Sequence, residues 1–569
     1  MSMGLGMKSP KASSANAVAM APSTLDLFIL TFNCAKTLIN PPVFAAHLHG
    51  ALSQNATGLP DLVVFSLQEV APLSYAFIGS YFLSHYYARF GEALNLASAK
   101  VLASADGNDD GDASRSTDEA AAAGSRGRTP PPPPYTLVRA KNVGMTAILL
   151  YARDPASIRK IEEAECGFGA ADMGNKGAVG LRVMWSTSGD QADGGGKTTE
   201  LTFVATHLAA MEWNLKKRNA NWRSIVAGLT FANPRTILPA GVFPANQAAA
   251  PTPDRSGAGD VAPRLPTGDS PDPSEEEPEA DDAEEEDTHP LLPNTNDESS
   301  PLLSPATLAA LHSISIYKPT SHLFIAGDLN YRISATTPPP QSPFPSFDPA
   351  SPNFYPAFLP RDQLTRERLA NRTLHGLSEA EITFGPTYKF DVLPPDGADD
   401  AENERAVREG GRVNGVAEVP WRFAPHRWPG WCDRVLYLDV PRWVSGKGKS
   451  KRKVEVGAYD ALPVVESSDH RAVFFRARVP VLGEGEMMPP AEGEDEEEAE
   501  VVGEGGLVDP RVRMPVPVDV HAWERRAVAR RKEMVVGWTG FVWSTREGAV
   551  LLATVLALGV GSWWLLRVW

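Results

Sequence analysis

The run HLFIAGDLNYR, residues 322 to 332, begins as an almost unbroken apolar stretch and closes on Asp328, Asn330 and Arg332. Its first half reads as a strand buried on both faces. A buried strand has no need of a carboxylate, an amide and a guanidinium at its tip; one such tip alone fits a cap, so the question is whether other strands end the same way. The same grammar recurs at 25–32 (LDLFILTF), 61–67, 145–152, 177–185, 200–208, 433–440 and 471–479, each rich in Val, Ile, Leu or Phe and bounded by turn residues. A helical stretch at 211–229 falls between two of them, with Trp213, Trp222 and Ile225 sharing a face. Strands and helices mixed in this way predict an α/β fold: a four-layer sandwich, two sheets face to face with helices outside.

The formal charge of −16 misleads. Residues 275–287 carry ten acids and residues 492–500 seven more, and removing these 17 takes −16 to +1. The acidity sits in solvated blocks and the folded part is near neutral. Three cysteines, Cys34, Cys166 and Cys432, are too few and too widely spaced for a disulfide framework or a zinc site. They also exclude a thiolate phosphatase, whose loop closes on an arginine six residues after the cysteine. Those positions hold Asn40, Asp172 and Leu438.

Residues 1–22 read as a disordered leader and 23–480 as one catalytic domain. Disordered insertions are expected near 102–134, 235–305, 335–356 and 392–417, all Pro-rich or poor in bulky apolar residues. An acidic, Pro-rich linker at 481–520 leads to a basic juxtamembrane segment at 521–547. The last segment, 548–568, contains 18 uncharged residues from Ala549 to Leu566. As a helix that run is about 27 Å long, enough to cross most of a bilayer core. With Trp563 and Trp564 at an interface, Arg567 to snorkel and the basic residues of 525–532 upstream, it predicts a tail anchor with the domain on the cytosolic side. The moderate length suits a thin bilayer, the endoplasmic reticulum before the mitochondrial outer membrane.

Other tips are equally polar. The first strand ends at Asn33, the second at Gln68-Glu69, another at His207, and Asp469-His470 precedes the last. In PGWCDRVLYL, residues 429–438, Asp433 opens a strand beside Cys432, which reads as core filling. Carboxylates, amides and imidazoles gathered on one rim suit a hard metal ion plus a phosphate.

The motifs LTFN, QEV, MGNKGAVGLRV, THLAA…RNANW, GDLNYRI, FGPTYKF, PGWCDRVL and SDHRAV stand in the order seen in the inositol polyphosphate 5-phosphatases. The chain therefore resembles that family, part of the metal-dependent superfamily that includes DNase I, over residues 25 to 479. It departs at Phe32, Met211 and Asn221-Trp222, none of them a rim group. The resemblance implies a DNase I-like fold and Mg²⁺ held by Glu69, with Asn33 and Asp469 as metal or supporting groups. It implies that Asp328 orients or deprotonates the attacking water, Asn330 fixes that carboxylate or donates to the phosphate, and Asp433 pairs with His470, leaving the base open between Asp328 and His470. His207 would donate to the transferring phosphoryl group, and Asn175, Lys176, Arg332, Tyr388, Lys389, Arg427 and Arg434 would bind substrate. Water would attack the 5-phosphate directly, without a covalent enzyme intermediate.

A membrane anchor favours a lipid substrate, here phosphatidylinositol 4,5-bisphosphate, concentrated by tethering. Basic residues 525–532 would add attraction to anionic headgroups. Nucleic acid is not an expected partner, since no basic groove is legible. The competing readings are a phosphodiesterase of the same superfamily and a catalytically weak phosphoinositide-binding tether.

Overall fold

The structure is a computed structural model of the 569-residue chain, and it describes residues 24–79, 81–106, 132–187, 197–238, 304–394, 412–413, 416–417, 419–445, 452–490 and 508–568. In chain order the strands begin with β1 (Thr24–Asn33), β2 (Leu62–Gln68), β3 (Thr136–Val143), β4 (Thr146–Ala152) and β5 (Ile158–Gly167). They continue with β6 (Gly177–Ser186), β7 (Thr198–His207), β8 (Ser321–Asp328), β9 (Phe390–Val392), β10 (Arg412–Val413) and β11 (Val416–Ala417). The last are β12 (Trp421–Phe423), β13 (Asp433–Tyr437), β14 (Glu455–Ala461) and β15 (Val473–Pro480).

Two sheets dominate. One has six strands in the order β14-β15-β1-β2-β4-β3, the other five in the order β13-β8-β7-β6-β5. Only β1–β2 and β7–β8 pair in parallel within them. Side chains such as Ile29, Val64, Leu150, Phe203, Phe324 and Phe475 fill the space between the sheets. Helices α1 (Pro41–Ser53) and α3 (Tyr81–Asp106) cover the outer face of the six-stranded sheet through Phe44 and Phe90, which meet Phe32 and Phe65. On the other side α4 (Leu215–Gly228) seats Trp222 and Ile225 in the cluster that holds Ile325 and Leu436. The central strands are thus buried on both faces, which is why they read as continuous apolar runs. This is the expected DNase I-like α/β sandwich.

Several expectations need correcting. Trp213 lies ahead of α4 and is 60% exposed, so it does not share the face of Trp222. Residues 335–356, read as a disordered insertion, are packed: Phe347 stacks on Phe423 with centroids 6.0 Å apart and meets Trp421 at 5.3 Å. Phe344, Phe347 and Tyr355, packed against the core clusters, outweigh the proline content there. The part of the linker from Val508 to Val520 also packs, burying Arg511, Val516 and Val518. The basic segment forms a helix, Ala522–Ser544, that lies on the domain instead of bridging freely to a membrane. Arg525 pairs with Asp519, and Arg526 with Glu165 and Glu533, leaving Arg531 and Lys532 exposed. A terminal helix follows at Arg546–Val568, with mean hydropathy 2.0 and none of its apolar window buried. The leader 1–22, residues 107–131 and 239–303, most of 392–417 and both acidic runs lie outside the described residues.

Candidate active site

Strand register builds the site. In the five-stranded sheet Gly177 of β6 pairs with His207 of β7, His207 with Asp328 of β8, and Asp328 with Asp433 of β13. Directly opposed residues point to one face of a sheet. One row across four strands therefore delivers an imidazole and two carboxylates side by side. The same sandwich brings β1 over this row, where Asn33 Nδ2 donates to Asp328 Oδ2 at 3.1 Å.

Asp328 is the hub. His207 Nε2 lies 3.3 Å and His470 Nε2 3.9 Å from its Oδ2, while the Asn330 backbone N–H donates to its Oδ1 at 3.0 Å. Burial alone would raise its pKa, but the His207 hydrogen bond and the charges of His470, His207 and Arg332 hold it far below the usual carboxylate range. His470 Nδ1 meets Asp433 Oδ2 at 2.9 Å, and Thr387 Oγ1 donates to the same oxygen at 2.8 Å. Burial would lower the His470 pKa; the Asp433 charge and hydrogen bond, with Asp328 beyond, overcome it and raise it to about 9. Lys176 Nζ stands 2.9 Å from His207 Nε2.

Glu69 follows the tip of β2, whose Gln68 pairs with Asn33 of β1. Its backbone is left-handed, φ 46°, a strained setting for glutamate of the kind found at functional sites. The carboxylate is 3.4 Å from Lys36 Nζ and partly open to solvent. Asp469, the third expected metal group, is more open and lies 3.5 Å from Lys389. Asn33 spends its amide on Asp328 and on the Ala35 N–H, which makes it a support for Asp328. Asp433 Oδ1 is buried without a hydrogen-bond partner. Oxygen donors of this kind fit a hard divalent cation. Asp328, Asp433 and His470 also offer ligand atoms within 4.8 Å of one another, a grouping not foreseen as metal-binding. In that trio the imidazole and Asp433 are already bonded to each other, which favours an acid–base role.

The substrate-side residues divide. Lys176, Asn175, Lys389 and Arg427 are partly exposed around the rim, and Arg427 Nη2 contacts Met211 Sδ at 3.6 Å. Tyr388 is buried, its ring 4.5 Å from that of His470 and beneath the Arg332 guanidinium at 4.4 Å. Arg332 donates to the Asn330 side-chain oxygen, so it positions the GDLNYR turn, with one guanidinium nitrogen, Nη1, unpartnered. Arg434 is not placed to bind substrate as expected. It is fully buried and commits its guanidinium to Glu379 at 2.6 Å and Asp362 at 3.1 Å, a structural ion cluster closed to substrate. Sequence reading missed Thr387, which the motif FGPTYKF contains but whose hydroxyl is silent until Asp433 is seen beside it.

The chain belongs to endonuclease/exonuclease/phosphatase family 2, which matches residues 30–476. It is 27% identical over 312 residues to type II inositol polyphosphate 5-phosphatase 15 of Arabidopsis thaliana, covering 54% of this chain and 20% of that protein. It is 30% identical over 181 residues to phosphatidylinositol polyphosphate 5-phosphatase type IV of Rattus norvegicus, covering 32% and 22%. The chain thus spans about a fifth of the length of these relatives. Among solved structures, the inositol polyphosphate 5-phosphatase domain of SPsynaptojanin, in complex with inositol (1,4)-bisphosphate and calcium ion, is similar at 19% identity and a TM-score of 0.43, covering 81% of this chain and 85% of that one.

Proposed function

We propose that this chain is a Mg²⁺-dependent phosphoinositide 5-phosphatase, a phosphoric monoester hydrolase acting on phosphatidylinositol 4,5-bisphosphate at a membrane surface. The observation that carries the reading is the linked set Lys176–His207–Asp328–His470–Asp433, a carboxylate held anionic beside an imidazole held protonated. The contacts divide the labour. Asp328, anionic, accepts the proton of the attacking water as the water oxygen bonds to phosphorus. The bond from phosphorus to the inositol 5-oxygen breaks, that oxygen takes a proton from solvent and leaves as the 5-hydroxyl, and protonated His470 hydrogen-bonds a phosphoryl oxygen where charge grows. Asp433 and Thr387 fix the His470 ring, and Asn33 and the Asn330 N–H fix Asp328. Lys176 and His207 add donors to the phosphoryl group. Glu69 and Asp469 would hold the cation, which when bound polarises the phosphate and offsets its charge. Lys389, 3.5 Å from Asp469, and Arg427 are rim cations that would take a second, uncleaved phosphate.

The terminal helix supports a lipid substrate, because it is apolar and unburied. The headgroup attraction expected of residues 525–532 shrinks to Arg531 and Lys532, since Arg525 and Arg526 are spent within the protein. The same proposal puts the domain on the cytosolic face of the endoplasmic reticulum, as a tail-anchored protein; co-fractionation of a tagged chain with another membrane would refute that assignment. The activity is tested with the full chain in mixed micelles, following phosphate release with Mg²⁺ and with chelator. Release from the 4,5-bisphosphate that exceeds release from the 3,4,5-trisphosphate, soluble inositol phosphates and DNA is expected. Turnover that survives chelation, or that favours DNA, would overturn the reading.

A further inference from the structure

The helix Ala522–Ser544 carries one residue that a surface helix has no reason to contain. Glu533 is fully buried. Its Oε1 accepts from the Gly174 backbone N–H at 2.8 Å, and its Oε2 accepts from Arg526 Nη2 at 3.0 Å and Arg530 Nη1 at 3.2 Å. Gly174 opens the turn Gly174-Asn175-Lys176-Gly177, which sets Lys176 against His207. On its opposite side this turn has no slack: a Cβ on Gly174 would lie 2.7 Å from Val143 Cγ1 and 2.8 Å from the Gly144 nitrogen. The turn is therefore wedged between the β3–β4 hairpin and the Glu533 carboxylate.

The same helix also grips the other bank of the site. Arg530 donates to the carbonyls of Phe77 and Ile78, the last two residues of helix α2 (Leu73–Ile78), which begins four residues after Glu69. Gly537 is packed so closely there that an added Cβ would sit 3.0 Å from Phe77 Cβ. One helix thus spans from the turn that presents Lys176 to the segment that follows Glu69. Burying a carboxylate is costly unless charge and hydrogen bonds compensate, and here a backbone N–H of the rim is one of the compensating partners.

We propose that Glu533 is a positioning residue for this site, acting through the Gly174–Lys176 turn, so that the helix leading to the membrane anchor is a working part of the active-site rim. The activity arm rests on the function proposed above; the exchange arm does not. In the full chain, Glu533→Gln is expected to speed hydrogen exchange at the amides of 174–176 at least tenfold, leaving β1 and β15 protected. It is also expected to lower kcat/KM for a short-chain phosphatidylinositol 4,5-bisphosphate about tenfold. Because the effect passes through Lys176, the double variant with Lys176→Ala should lose no more than Lys176→Ala alone. Glu533→Asp, which keeps the charge but draws it back by one methylene, should reproduce the local exchange. Unchanged exchange at 174–176, additive losses in the double variant, or loss of protection in β1 and β15 with both variants would each overturn the proposal. A wild type that releases no phosphate would sink the function instead, and the exchange comparison would still decide the role of Glu533.

Discussion

Asp328 and His470 stand 3.9 Å apart with opposite charges, and each has a different partner that keeps it so. Replacing Asp328 with Asn keeps the shape but leaves one oxygen where donors approach both sides, Asn33 on one and the Asn330 N–H on the other, and it removes the carboxylate proposed to accept the water's proton. We expect kcat to fall by about 10³ or more in a variant that melts somewhat lower but still cooperatively. His470 is raised to about 9 by Asp433 and Asp328, so its proton is present below that pH and lost above it. In the proposed function the protonated ring is the working form, so kcat/KM should decline as pH rises through about 9, and a pH–rate profile checks this. Thr387→Val, which deprives Asp433 of its hydroxyl donor, should move that alkaline limb. At this scale the sequence was informative wherever polarity broke an apolar run: Asp328, His207 and Asp433 stood out for that reason. Arg434 misled because its partners Glu379 and Asp362 lie far away in sequence, and a charge in a string does not show whether it is already spent.

Strands buried on both faces announce themselves, and all eight apolar runs became strands of the two sheets. The ones that escaped, β3, β5 and β14, sit at sheet edges or carry alternating charge. Lys141 of β3 bonds Glu163 and Glu165 of β5, a charged ladder without the continuous apolar run that marks the inner strands. The Pro-rich stretch 335–356 is the converse case, where composition reads as disorder but Phe344, Phe347 and Tyr355 hold the segment to the core. Phe347 lies against Trp421 and Phe423 and almost touches Gly385. Phe347→Ala should cost about 2–3 kcal/mol in a denaturant melt, somewhat less than truncating a fully enclosed phenylalanine. It should also open 335–356 to limited proteolysis. Equal protease resistance in wild type and variant would mean that the segment is held by other contacts.

At the scale of the whole molecule, two buried features set how the fold responds to its surroundings. His322 begins the core of β8 with its Nε2 3.1 Å from the Pro480 carbonyl, and burial lowers its pKa from 6.5 to about 4. The unfolded chain takes up the proton first as pH falls, so stability from this group is present above about pH 6.5 and is lost on descending towards about 4. The loss is on the order of 3 kcal/mol. Urea midpoints at pH 7 and pH 5 should therefore differ, and His322→Gln should flatten the difference. The second feature is where the folded body ends. The strand pattern alone puts that end at residue 480, yet Val516 and Val518 are buried and Glu533 lies under the rim. A chain cut at 480 would expose those apolar seats, whereas one cut at 545 removes only the unburied terminal helix. We expect the 1–545 chain to leave the membrane fraction, keep the wild-type melt, and hydrolyse short-chain lipid at the full-length rate while losing activity on vesicles. The 1–480 chain should melt lower and turn over more slowly even on the short-chain substrate. If the two truncations behaved alike, the packed helix would be an appendage of the domain and the boundary read from the strands would be the correct one.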